Sequence, residues 1–189
     1  VSDHHGWKAQ ERKIAAALGK WWDNNPKHFR RLPLKAGAYW DDGRGPDIVR
    51  LKDPFAKVPS DDIIDYTFPL FCEVKKRKIL NLNELVGQPP KNPKGNNLTG
   101  WFNIVAERAT RNNKWPMLFA KFPRSHKTFL ILPKKILKLK VFKNVRGIIA
   151  KMPGAPSKMR RVFVCEASEF FANVTKKMLK LNGREEVIA

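Results

Sequence analysis

Apolar and polar positions alternate from Leu70 to Lys75. Leu70, Cys72 and Val74 recur with a period of two, which predicts a strand with Glu73 and Lys75 projecting together from its other face. Ile48, Val49 and Leu51 predict an earlier strand after the turn Gly43-Arg44-Gly45-Pro46, with Asp47 at its entrance. Nearer the start, Trp7, Glu11, Ile14, Ala15 and Leu18 fall near one side of a helix over Trp7–Leu18, with Gly19 as its terminator. Trp21–Tyr39 mixes aromatic and basic residues with two prolines, the composition of a loop with a short strand.

In the second half, Thr99 is placed to cap a helix over Trp101–Asn112 whose apolar stripe is Phe102, Val105, Ala106 and Ala109. Pro116–Phe122, Thr128–Leu132 and Val162–Cys165 read as strands. A last helix is expected from Ser168, its cap, to Leu181. Between these elements, Lys52–Phe68 reads as a surface loop or hairpin insertion with an acidic patch of Asp61, Asp62 and Asp65. Asp41 and Asp42 read as turn formers, Asn81–Val86 as a short helix and Gly87–Gly100 as a loop contacting substrate. Strand, strand, helix, strand, strand after a first helix indicates an α/β fold (α+β by some schemes), with a central mixed β-sheet flanked by helices. The organisation expected is a core over residues 1–133 and a basic C-terminal extension over 134–189, packed on the core and used for DNA binding or dimerisation.

Charge narrows the function. Among 189 residues, 38 Lys and Arg stand against 17 Asp and Glu, a formal charge of +21. That excess costs self-repulsion and favours a polyanion, nucleic acid ahead of a membrane surface. No apolar run approaches the roughly 20 residues that span a bilayer, and the first residues lack a signal-peptide segment, so the expected location is the cytoplasm, the host cell's if the protein is viral. Cys72 and Cys165 lie far apart in apolar runs and are expected to be buried thiols.

Two carboxylates and a lysine are the minimal equipment for metal-assisted phosphodiester hydrolysis. If the two acidic strands pair, Asp47 and Glu73 can converge on one cation, with Lys75 within reach of a water or a scissile phosphate. Carboxylates are the hard ligands that Mg²⁺ or Mn²⁺ prefers, and no compact Cys and His cluster offers zinc a site. Glu11 has two readings: paired with Arg12 or Lys8 on the helix flank, or directed into a catalytic cleft. Phosphate contacts are expected from Arg30, Arg31 and Lys35, from Arg44 in the turn, from Lys76, Arg77 and Lys78 beside the proposed chemistry, and from Lys121 and Arg124. The bland reading of such charge runs is a solvated face.

Asp47 with Glu73-Val74-Lys75 resembles the PD-(D/E)xK nuclease superfamily, and within it the archaeal-type Holliday junction resolvases and their viral relatives. The resemblance runs through Lys8–Leu18, Gly45–Val49, Phe71–Arg77 and Trp101–Phe122. It implies a restriction-endonuclease-like core over residues 1–133, with Glu11, Asp47 and Glu73 holding Mg²⁺, or Mn²⁺ in its place. Lys75 would position or activate the attacking water, and a homodimer would make paired cuts in branched DNA. The chain departs from compact resolvases in a longer loop between the acidic strands, in lacking a Glu-Gln start to the helix near Gly100–Asn103, and in its tail after Pro133. Two alternatives stand beside it: a restriction-like or repair endonuclease acting on duplex or flap DNA, and a non-catalytic basic DNA-binding or architectural protein.

Overall fold

The computed structural model describes residues 4–32, 45–56, 63–76, 97–121 and 126–181, without the side chains of residues 4, 5, 7 and 76. Several expectations lie outside them: the turn with Asp41, Asp42 and Arg44, the short helix Asn81–Val86, most of the loop after it, and Lys35, Asp61, Asp62, Arg77, Lys78 and Arg124. The chain forms two compact units, Val1–Phe68 and Pro69–Ala189. Among the described residues no helix is long and apolar enough to cross a membrane.

In the first unit, helix α1 spans His4–Asp23 and packs on the antiparallel pair β1 (Phe29–Arg31) and β2 (Ile48–Arg50). Its buried face carries Glu11, Ile14, Ala15 and Leu18, as the periodicity predicts. Gly19 does not end it. The chain returns so closely that a β-carbon on Gly19 would lie 2.4 Å from the Asn25 carbonyl oxygen, so this glycine serves packing, while Asn24, with φ of 56°, makes the left-handed turn after the helix. The segment after β2 has a hairpin-like base, in which Leu51 bridges Ile64 antiparallel. Leu32, Val49, Leu51 and Ile64 form one apolar cluster, and Phe68 meets Trp22 and Phe29 edge-on at 5.1 and 4.8 Å.

The second unit is built on a mixed sheet, as expected. Strand β3 (Leu70–Lys76) runs parallel to β4 (Trp115–Lys121), and α2 (Leu98–Arg111) is the crossover between them, packed on both. Antiparallel neighbours follow: β5 (Thr128–Pro133) beside β4, then β7 (Arg161–Glu166), then β6 (Gly147–Lys151). Residues 115–120 of β4 are all buried, the signature of a strand covered on both faces. The chain after Pro133 therefore contributes two strands to this sheet, together with the short helices α3 (Leu139–Asn144) and α4 (Ala167–Asn173).

Two further helices, α2 and α4, differ from expectation at their ends. The cap of α2 is Asn97, whose side chain accepts the Gly100 N–H at 2.6 Å, whereas Thr99 is fully buried inside the first turn. The last helix ends at Asn173, because the β-branched pair Val174 and Thr175 takes extended backbone and a short 3-10 turn at Lys176–Met178 brings Leu179 to a bridge with Leu137. Its N-cap is Glu166, not Ser168, whose hydroxyl donates to the Glu166 carboxylate at 2.7 Å. Cys72 and Cys165 are both buried free thiols, and burial, helped by the charge of Glu169, pushes the Cys165 pKa up to about 12.

Candidate active site

Strand pleating decides the first contact. Glu73 and Lys75 are two residues apart on β3 and leave the same face, where the Lys75 ammonium donates to Glu73 Oε1 at 2.5 Å. Glu73 is 3 % exposed, so its ionised form must be balanced by cations in place of water. A second cation comes from α2: Arg108 Nη1 lies 3.4 Å from the same oxygen. Reasoning from sequence missed Arg108. Its one signal is a basic residue flanking the apolar stripe of a crossover helix, too common a feature to single it out without the packing.

In the first unit, Glu11 is buried on α1 and forms an ion pair with Arg31 of β1. Its partner is thus neither Lys8 nor Arg12, both exposed, because the buried face of α1 looks onto the strands. Arg31 pairs in register with Ile48, and the Leu32 N–H donates to the Asp47 carbonyl at 2.9 Å. The pair Glu11 and Arg31 is thereby tied to the end of the β1–β2 ladder that Asp47 opens. Asp47 itself is half-buried.

Asp65 is not part of a surface acidic patch. It is buried and ion-paired with Arg50, which also donates from Nε to Asp23 Oδ2 at 2.8 Å. His28 Nδ1 lies 2.9 Å from that same Asp23 oxygen, and Thr67 donates its backbone N–H and hydroxyl to Asp65 at 2.9 and 2.6 Å. Burial alone would raise both carboxyl pKa values, but for Asp23 the hydrogen bonds from Arg50 and His28, and for Asp65 those from Thr67 and Arg50, outweigh it and hold each below its ordinary value. Arg50, chiefly through its bond to Asp23, is raised in turn. This network joins the end of α1, β2 and the chain before Phe68, a structural task.

The expected phosphate contacts divide. Arg30 donates to the Pro54 carbonyl at 3.4 Å, Arg31 is committed to Glu11, and Lys121 closes β4 half-buried. Lys76 ends β3, and Lys35, Arg44, Arg77, Lys78 and Arg124 lie outside the described residues. Among the described residues no three His, Cys, Asp or Glu side chains gather into a metal-binding group. The chemistry of Glu73 nevertheless suits a hard divalent ion: it is a buried oxygen donor whose charge two protein cations now balance, a task that a bound cation would share.

Residues 6–180 match the model of a family described as "Phage putative PDDEXK endonuclease". No match was found among curated proteins or among solved structures.

Proposed function

The chain belongs to that phage PDDEXK endonuclease family, and on this premise we propose that it is a Mg²⁺-dependent endodeoxyribonuclease that resolves branched DNA, such as four-way junctions, by paired phosphodiester hydrolysis. The observation that carries the chemistry is the contact of Lys75 with the buried carboxylate of Glu73 on one face of β3. In this reading Glu73, Asp47 and Glu11 are the carboxylates that hold Mg²⁺, with Mn²⁺ as a substitute. The chemistry that such an ion would supply to these carboxylates is Lewis acidity toward the phosphate and acidification of a water. Lys75 orients the attacking water or hydrogen-bonds a phosphate oxygen through its amine. Arg108 holds Glu73 in place from the helix side and is a positioning residue.

DNA is the polyanion that the +21 charge favours. The branched substrate is supported by the resemblance to junction resolvases, and paired cutting requires two active sites, hence a homodimer. Strand β6, last in order beyond β7, exposes Ile148 and Ile149 by 45 % and 47 %, apolar edge surface of the kind that a second copy covers. The test is incubation with matched linear, flap and four-way-junction DNA, in Mg²⁺ and in EDTA, with mapping of the cuts. Symmetric paired cuts in the junction alone, lost in EDTA, are expected. Equal cutting of linear or flap DNA would assign a duplex or repair endonuclease instead, and binding without cutting a DNA-binding protein.

A further inference from the structure

A cavity of about 340 Å³ opens in the first unit, between α1, β1 and the segment after β2. That is at the small end of the range for ligand pockets, about 300–1,000 Å³. The charged residues that line it are all cationic: Arg12, Lys27, Arg30 and Arg31. Glu11 balances Arg31 from outside the cavity lining. Among the described residues no carboxylate forms an ion pair with Arg12, Lys27 or Arg30, so the cavity keeps an excess of positive charge.

Its aromatic residues are equally unusual. Phe55, at 74 % exposure, lies at the rim with the Lys27 ammonium 5.4 Å from its ring centroid. A phenyl ring left this open gains nothing from the core. It is nonetheless held in place, because its own N–H donates to Asp53 at 2.8 Å and the Arg30 guanidinium holds the preceding carbonyl. Buried Phe29 lines the same cavity and packs edge-on against Phe68. Ala15 and Ala16 leave the helix side open.

A cationic cavity with one exposed aromatic face is complementary to a phosphate joined to a flat ring. Bases stacked within a duplex cannot offer that face to Phe55. We infer that this pocket binds one unpaired nucleotide of a DNA strand, its phosphate among Arg12, Lys27 and Arg30 and its base against Phe55. The inference rests on the nuclease reading only for the identity of the polyanion. It adds that the protein senses unpaired nucleotides at a place assigned to no catalytic group.

The test is fluorescence anisotropy with a short oligodeoxythymidylate and an abasic strand of equal length, at fixed salt and in EDTA so that binding is read without cleavage. The parent protein should prefer the thymidylate strand about tenfold, the order of one base–aromatic stack. Phe55→Ala should erase that preference, Phe55→Trp should keep it, and Arg12→Ala with Lys27→Ala should weaken both strands and flatten the salt dependence. Equal binding of the two strands by the parent, or a preference that survives in Phe55→Ala, overturns the pocket. Competition by free thymidine monophosphate as strong as by the strand overturns the strand assignment. Cleavage assayed on the same preparations separates the two ideas: stacking preference without cleavage refutes only the nuclease reading, and cleavage without the preference refutes only the pocket.

Discussion

Lys75 donates to Glu73 across a single strand repeat, Nζ to Oε1 at 2.5 Å, and Arg108 approaches the same oxygen from α2. A carboxylate so buried, held between two cations, is costly to build unless its charge is used. Glu73→Gln keeps the shape and removes the charge. Cleavage of any DNA substrate should fall at least about 100-fold, the scale set by losing a positioned catalytic group. Asp47→Asn should act in the same direction, with salt-sensitive DNA binding retained in both. Product yields in Mg²⁺ alongside anisotropy in EDTA check this, and undiminished cleavage by either variant would remove that residue from the catalytic set.

Arg108→Ala removes one cationic partner of the buried Glu73 carboxylate. Because Arg108 is partly exposed and its contact is long, the expected loss of stability is about 1–2 kcal/mol, below the cost of breaking a fully buried pair. Urea unfolding measures it. In the double variant with Glu73→Gln the two losses should not add, since each removes the same interaction. Additive losses would show that Arg108 acts elsewhere.

Acid should act through the network of Asp23, Arg50 and Asp65. Both carboxyls have folded-state pKa values held below the ordinary 3.8, so the unfolded chain binds their protons more readily. Their contribution is complete above the unfolded value and is lost as pH falls through the folded one. Urea midpoints should drop steeply below about pH 4 in the parent. Asp65→Asn should be less stable at neutral pH and lose less between neutral and acid pH.

Gly19→Ala tests the close return of the chain after α1. An added methyl would meet the Asn25 carbonyl oxygen at 2.4 Å, so backbone must shift even though alanine favours helix. Destabilisation of about 1–3 kcal/mol is expected, the range for overpacking. Thermal or urea melting decides, and a stabilised variant would mean that the turn has other room.

The thiols should be inert in the folded protein. Cys72 is fully buried and the Cys165 pKa is pushed up to about 12, so neither presents a thiolate. Both should react with an aromatic disulfide reagent only at the rate of unfolding, and rapid labelling of either would contradict its burial.

Local patterning by itself determined the strand that carries Glu73 and Lys75 and the buried face of α1 with Glu11, because a period of two or of 3.6 is imposed by the backbone wherever one side meets a core. It also determined the basic character that calls for a polyanion. Boundaries were less legible: Gly19 looks like a helix end until the returning chain is seen, and Asn97 outcompetes Thr99 as a cap only because Thr99 is drawn into the core. Partner choice was decided by tertiary structure alone. Arg31 for Glu11, Arg108 for Glu73, Arg50 for Asp65 and Lys27 for Phe55 all join residues distant in sequence, and such contacts arise from how helices and strands pack, a geometry that no local spacing encodes.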